Sequence, residues 1–233
     1  MYRATVLFIC LCFISCEDVI EMELDEGPSQ VTVDAFITNE PKDQLIRLSW
    51  TQPYFTREGM DVIEDAQIVL TDDMGQKDTF NYTADGYYKW TYRGKPLVSA
   101  ETYYHLDIFT EGNHFHALQM ANPSVPVDSI QLIDLAKSDG FPGFTDGIIA
   151  ELWAVDRAGT NDYYWIKSYR DGVHNPDVEA IILSQNGAFG TEYDGFSFIP
   201  PIRLGISNFE IPFKVGEVLR VEILGISEGT YNF

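Results

Sequence analysis

The chain has 233 residues, and 36 acidic against 15 basic residues give it a formal charge of −21 at pH 7. A phosphate backbone is bound by a basic surface, so this charge excludes nucleic acid as a partner. Hydrophobic residues make up 45% of the chain, which is enough for a packed core and excludes global disorder. All 3 cysteines lie at or before Cys16, so the remaining chain has no disulfide and no zinc–thiolate site.

Residues 1–15 predict a secretory signal peptide. Arg3 precedes an apolar run from Ala4 to Ser15, which is too short to span a bilayer; the alternative is an ordinary buried helix. Phe13-Ile14-Ser15-Cys16 resembles the lipobox of bacterial lipoproteins, with Phe13 where Leu is usual. That resemblance implies cleavage before Cys16 and lipidation of Cys16, and the acyl chains would then anchor the protein to a membrane.

Residues 16–28 are acidic and poor in core residues, so they predict a tether. From residue 29 to residue 120, short runs alternate apolar and polar residues with a period of two, and turn signals separate them. The runs are Val31 to Thr38, Ile46 to Trp50, Ala66 to Thr71, Lys77 to Tyr82, Tyr87 to Tyr92, Tyr104 to Ile108 and Asn113 to Met120. Their number, about seven, and their spacing predict an antiparallel β-sandwich.

Residues 121–126 contain two prolines and predict a stiff, extended linker. Residues 127–233 predict a second β-rich domain that is less regular. We expect a hairpin that joins Ile148–Val155 to Tyr163–Tyr169, and a last strand that ends near Ser227. Because the chain stops on an apolar residue soon after that strand, we expect this domain to be incomplete at its C-terminus.

Loose motifs recur in a fixed order along nearly the whole chain. They are Cys16 to Ile20, Val33 to Glu40, Leu48 to Phe55, Ala66 to Gly75, Thr102 to Ile108, Pro126 to Ile130, Asn161 to Tyr164 and Gly216 to Ser227. In this order they resemble a family of Bacteroidetes outer-membrane lipoproteins, domain of unknown function 4249. The resemblance implies an all-β fold, with an immunoglobulin-like β-sandwich followed by a second β-rich domain. It implies no catalytic residue.

The resemblance also implies a location and a partner. Members are commonly encoded beside TonB-dependent outer-membrane transporters, so the protein would cap the transporter barrel or supply it with nutrient. Glu17 and Asp18 look like the surface-export signal of such lipoproteins. We therefore expect a lipid-anchored, surface-exposed, non-catalytic accessory protein without a cofactor. The alternatives are a surface adhesin or structural lipoprotein with no transport role, and a hydrolase that uses two carboxylates.

Aromatic residues in loops of the second domain are the candidates for contact with a partner or ligand. They are Phe144, Phe189, Tyr193, Phe196 and Phe198. Loops seldom expose large apolar rings without a function. The rings therefore either fill the core from outside or form a contact surface, and the sequence leaves both interpretations open.

Glu111-Gly112 predicts a two-residue hairpin turn. Such a turn places Asp107 opposite His116 and puts His105 and His114 on the same outer face of the sheet. Cross-strand neighbours are close enough for two or three of these residues to bind one metal ion, so all four are weak candidate ligands. Polar residues are also ordinary on a half-solvated face, and we expect no metal site.

Two further motifs carry alternatives. Asp128-Ser129-Ile130 resembles a Bacteroidetes O-glycosylation site, which makes Ser129 a weak candidate for modification. The second motif is Gly225-Ile226-Ser227-Glu228-Gly229, which fits the G-x-S-x-G pattern of a nucleophile elbow. A nucleophile elbow needs a histidine later in the chain. All 4 histidines precede Ser227, so we interpret this segment as a strand end that enters a turn.

Overall fold

A computed structural model describes residues 27–53, 59–138, 146–174, 181–187, 191–198, 202–203 and 205–233. Over these residues the protein is all-β, apart from one short helix and two 3-10 turns, which confirms the predicted fold class. Cys16, Phe144 and Phe189 lie outside the described residues. Within the part that is described, no helix has the length and apolarity needed to cross a membrane.

The N-terminal half is one sheet of seven antiparallel strands. They are β1 (Val31–Ala35), β2 (Gln44–Trp50), β3 (Gln67–Asp72), β4 (Lys77–Ala84), β5 (Tyr87–Trp90), β6 (Tyr103–Thr110) and β7 (Asn113–Met120). The order is β1-β2-β5-β4-β3-β6-β7, and its two parts follow the four-strand and three-strand layers of an immunoglobulin constant domain. The sheet curls at β4, which pairs with β3 at its start and with β5 at its end.

The first core lies inside this curled sheet. Side chains that alternate inward from both layers are almost fully buried: Ile46, Leu48, Ile68, Phe80 and Tyr88. Burial of each large apolar side chain stabilises the fold by about 1.5–3 kcal/mol. The buried Tyr88 hydroxyl donates to the Ile63 carbonyl and accepts from the Ala66 amide, both at 2.9 Å, so its polar end is satisfied.

Tight connections fix the strand register. Asp85-Gly86 and Glu111-Gly112 have positive φ at both residues (52° and 77°, 48° and 75°), as a type I′ hairpin turn requires. At the start of β6, the Tyr104 hydroxyl accepts a 2.9 Å hydrogen bond from the Ser99 amide just upstream. This contact is the tyrosine corner typical of immunoglobulin-like folds.

The C-terminal half contains two smaller sheets. Its elements are β8 (Ser129–Asp134), β9 (Ile148–Trp153), β10 (Tyr163–Arg170), β11 (Val173–His174), β12 (Ile182–Gln185), β13 (Leu219–Ile226) and helix α1 (Glu228–Tyr231), with 3-10 turns at Leu135–Lys137 and Thr191–Tyr193. Strands β8 and β9 pair with each other. Strand β10 is central in the other sheet, because β13 pairs along its whole length and β11 and β12 pair on its other edge.

The predicted hairpin between β9 and β10 is wrong. The two strands lie in different sheets, and Ala150 and Leu152 of β9 share a core with Tyr164 and Ile166 of β10. The intervening loop carries the chain from one sheet to the other, and within it the Arg157 guanidinium binds Asp162. The predicted domain boundaries at residues 29–120, 121–126 and 127–233 stay predictions.

Candidate functional site

The two halves meet closely where the linker crosses β13. The Ser124 hydroxyl donates a 2.5 Å hydrogen bond to the Ile223 carbonyl. A Cβ atom on Gly225 would lie 2.0 Å from the Pro123 carbonyl oxygen, so only glycine permits this approach. The middle residues of the linker, Pro123 and Ser124, are therefore packed against β13.

Arg157 forms a second connection between the halves. Its guanidinium binds Asp162 at 3.0 and 3.1 Å, and its remaining nitrogen binds Glu101 of the N-terminal half at 2.9 Å. The hydrogen bond to Asp162 raises the pKa of Arg157 above its ordinary value. Asp162 is 7% exposed, so the Arg157 guanidinium binds one buried carboxylate and, beside it, the exposed carboxylate of Glu101.

A cavity of about 330 Å³ opens between the halves. Apolar side chains from both halves form most of its wall, among them Phe36, Leu106, Ala117, Met120 and Leu224. Neutral hydroxyl and amide groups complete it, from residues such as Thr38, Asn122 and Ser227. Among the described residues that line this cavity, none carries a charge.

The composition of the cavity decides what it can do chemically. Ligand sites are typically concave, apolar and placed at domain interfaces, with a few neutral polar groups for orientation. An ionised ligand would lose hydration here without a charged partner, which is costly. Among the described residues that line the cavity, Tyr104 alone is titratable, and its hydroxyl already accepts a hydrogen bond from the Ser99 amide. The cavity therefore fits a small neutral ligand and offers no acid–base pair.

A second cavity, of about 210 Å³, does contain carboxylates. Both carboxylates accept hydrogen bonds from neighbouring residues. Asp72 accepts the Met74 and Gln76 amides in the β3–β4 turn, at 3.0 and 2.8 Å. Asp78 accepts the Trp90 indole at 2.9 Å. Asp72 therefore holds the β3–β4 turn, and Asp78 positions the Trp90 indole.

The described aromatic candidates do not share one surface. Phe198 is 1% exposed and packs on Tyr164, with ring centroids 5.4 Å apart. It therefore belongs to the core, which was the alternative interpretation of these rings. Tyr193 is half-buried, whereas Phe196 is 54% exposed and can still meet a partner. Phe144 and Phe189 fall outside the described residues, so contact through them stays a prediction.

An apolar surface that the sequence did not indicate lies at the far end of β10. Four exposed aliphatic residues form this apolar tip: Val173, Ile211, Val215 and Val218. Hydrogen bonds hold this surface at the end of β10. Arg170 donates to the Ile211 carbonyl at 2.8 Å, and the Asp171 amide donates to the Val218 carbonyl at 2.9 Å. Val173 lies in one segment and the other three lie in the stretch 211–218, so the surface needs two distant segments and no single local pattern predicts it.

The outer face of the β6–β7 hairpin carries a histidine–aspartate cluster. Asp107 is paired with His116, as the predicted turn requires, and Phe109 is paired with His114. Asp107 Oδ1 lies 2.7 Å from His114 Nε2 and 2.9 Å from His116 Nδ1. The hydrogen bonds from His116 and then from His114 hold the pKa of Asp107 below its ordinary value. The fourth predicted residue, His105, contacts His116 at 3.4 Å.

The two serines singled out in the sequence have simple surroundings. The Ser227 hydroxyl caps helix α1 by accepting the Thr230 amide at 3.1 Å, and it also contacts the Thr230 hydroxyl at 2.9 Å. Its φ of −76° and ψ of 157° are extended, unlike the strained serine of a nucleophile elbow. Ser129 is exposed at the start of β8, and its glycosylation stays a prediction.

The family model described as Domain of unknown function (DUF4249) matches residues 17–233. That span covers all the described residues, and it is the family that the sequence motifs indicated. No curated protein and no solved structure matches the chain.

Proposed function

We propose, from the premise that the chain belongs to the family described as Domain of unknown function (DUF4249), that it is a non-catalytic accessory protein of a TonB-dependent outer-membrane transporter. It would be anchored on the cell surface through a lipid on Cys16. Its work would be to bind a nutrient or to cap the barrel. The uncharged cavity between the two halves is the observation that carries this proposal.

The cavity supports binding rather than reaction. In a chain in which 22% of residues are charged, an opening lined without charge selects neutral, largely apolar ligands. General acid–base catalysis needs a positioned titratable group, and glycoside hydrolysis needs two carboxylates. The carboxylates of the smaller cavity are already held by the Met74, Gln76 and Trp90 donors.

The transporter partnership is supported by the family resemblance and by the apolar tip. Exposed aliphatic side chains that cluster at one end of a domain are typical of a protein contact. Val215 and Val218 are 93% and 62% exposed, and burial against a barrel would remove this area from water. Phe196 offers a further exposed apolar side chain in the same half.

Co-purification tests the proposal. The full-length protein is extracted from its native membrane in mild detergent, and the proteins that accompany it are identified by mass spectrometry. We expect a TonB-dependent barrel in an amount comparable to the protein, and its loss when Cys16→Ser prevents anchoring. Recovery of the lipidated protein without any barrel would favour the adhesin or structural alternative.

A further inference from the structure

Contrary to the expectation from the sequence, we propose that the outer face of the β6–β7 hairpin binds one divalent transition-metal ion, of the zinc class, through Asp107, His114 and His116. The ligand atoms are one carboxylate oxygen and two imidazole nitrogens, and they all lie within 4.8 Å of one another. This site is separate from the cavity between the halves and does not depend on the proposed transport role.

The backbone brings the three ligands together. In an antiparallel pair, residues that lie opposite each other project from the same face, with Cβ atoms about 4.5–5.5 Å apart. Asp107 is paired with His116, and His114 follows on the same face of β7, two residues nearer the turn. The Glu111-Gly112 turn fixes this register, so the ligands stand on two paired strands and not on a loop.

The distances between the three ligand atoms suit a metal ion that replaces the hydrogen bonds between them. A tetrahedral ion with bonds of about 2.0–2.2 Å separates neighbouring ligand atoms by about 3.3 Å. The Asp107–His114 and Asp107–His116 contacts are 2.7 and 2.9 Å, so each pair opens by about 0.5 Å to admit the ion. Both imidazoles have room for this small rotation, because the His114 and His116 side chains are 49% and 45% exposed.

Two neighbours orient the imidazoles. Phe109 stacks on His114 with ring centroids 4.3 Å apart and planes 9° apart. His105 Nδ1 lies 3.4 Å from His116 Nε2, so His116 can bind the ion through Nδ1 while its Nε2–H donates to His105. A hydrogen bond from the second ring nitrogen is usual for a metal-bound histidine. His105 is therefore a positioning residue.

The ligand set indicates the class of metal. Two imidazoles and a carboxylate suit zinc, nickel and copper, whereas calcium and magnesium prefer oxygen ligands alone. Three protein ligands leave a fourth position open on the solvent side, which water can fill. The chain's charge of −21 also raises the concentration of cations near its surface.

Titration calorimetry with zinc sulfate tests the site. The full chain is purified without a polyhistidine tag, and His114→Gln and His116→Gln are compared with His174→Gln. His174 is the matched control, because it is a histidine on β11 that contacts the Tyr169 ring, with centroids 5.2 Å apart, and lies outside the cluster. We expect one zinc per chain in the wild type and in His174→Gln, and at least about tenfold weaker binding in the two cluster variants.

A second readout keeps the test independent of any effect on folding. Zinc should shift the imidazole NMR resonances of His114 and His116 in the wild type and leave those of His174 in place. His105→Gln should weaken zinc binding by about tenfold without abolishing it, as expected for a positioning residue. Absence of zinc binding in the wild type, or equal binding in His114→Gln and His116→Gln, would overturn the proposal and leave a hydrogen-bonded network only.

Discussion

The carbonyl oxygen of Pro123 occupies the space in which a side chain at Gly225 would begin, only 2.0 Å from the position of a Cβ atom. This contact brings the linker onto the last strand. Both the linker and β13 also contribute to the wall of the cavity, through Asn122 and Leu224. The absence of a Cβ atom at Gly225 thus sets how closely the two halves of the protein approach each other.

Gly225→Ala should therefore destabilise the protein. The added methyl group forces the Pro123 carbonyl away from β13, and such overpacking costs about 1–3 kcal/mol. The free energy of unfolding in urea measures the effect. Gly229→Ala is the matched control, because a Cβ atom there would lie 3.8 Å from Ser227 Oγ, which is an ordinary van der Waals distance. Equal stability of the two variants would mean that the close approach of linker and strand does not matter.

The cavity should bind a neutral apolar probe, and a larger side chain in its wall should block it. We expect the neutral dye prodan to bind the wild type with an increase in fluorescence. Ala117→Phe should remove most of that increase, because Ala117 lines the cavity. Leu118→Phe should leave it intact, since Leu118 is the next residue of β7 and is 53% exposed on the outer face. An equal response from both variants would place the dye elsewhere.

Removal of the cation at Arg203 should destabilise the second half. Arg203 binds Glu151, whose side chain is only 5% exposed on β9. Arg203→Met leaves that buried carboxylate without its partner, which costs about 3–5 kcal/mol. The double variant Glu151→Gln/Arg203→Met should recover part of the loss. Lys137→Met is the control, because the Lys137–Asp134 pair is exposed and its loss should change stability little.

Glu217 should make stability depend on acid pH. Hydrogen bonds from the Arg170 guanidinium and then from the Lys214 amide hold the pKa of Glu217 below its ordinary value of 4.5. A lowered folded-state pKa means that this stabilisation is full above about pH 4.5 and is lost as pH falls through the lower value. Urea midpoints at about pH 7 and about pH 3 should therefore differ less in Glu217→Gln than in the wild type.

Arg170→Met tests whether the hydrogen bond from Arg170 is what lowers the pKa of Glu217. It removes the donor, so the pH dependence should flatten as it does in Glu217→Gln, and the double variant should show no additional flattening. A wild-type slope that both single variants retain would assign the acid sensitivity to other carboxylates. Arg170→Met should also lower stability at neutral pH, because Arg170 binds the Ile211 and Pro212 carbonyls at 2.8 and 2.9 Å.

Local chemistry explains which parts of the structure could be predicted from the sequence. The β6–β7 hairpin was predicted down to its register, because Glu111-Gly112 sets a two-residue turn and the period-two pattern then decides which side chains share a face. The cluster of Asp107 with His114 and His116 follows from the same register. The immunoglobulin-like order followed from the family resemblance rather than from strand spacing alone.

Long-range packing explains what could not be predicted. β9 and β10 are neighbours in sequence with alternating patterns, yet they face each other across a core, because residues near Ile202 and Phe213 bridge to β9 instead. The cavity needs the linker to dock on Gly225, and the apolar tip needs two distant segments, around Val173 and at 211–218, to meet. Neither arrangement has a signature within one stretch of chain.

Photo-cross-linking in intact cells tests the central claim most directly. A photoreactive amino acid is placed at Val215 in the apolar tip and, as the matched control, at Met74, which is 85% exposed on the β3–β4 turn of the other half. Docking on a transporter predicts a cross-link from Val215 to a TonB-dependent barrel and none from Met74. If Val215, Val218 and Phe196 all fail to cross-link to any barrel in the native membrane, the transporter account is contradicted.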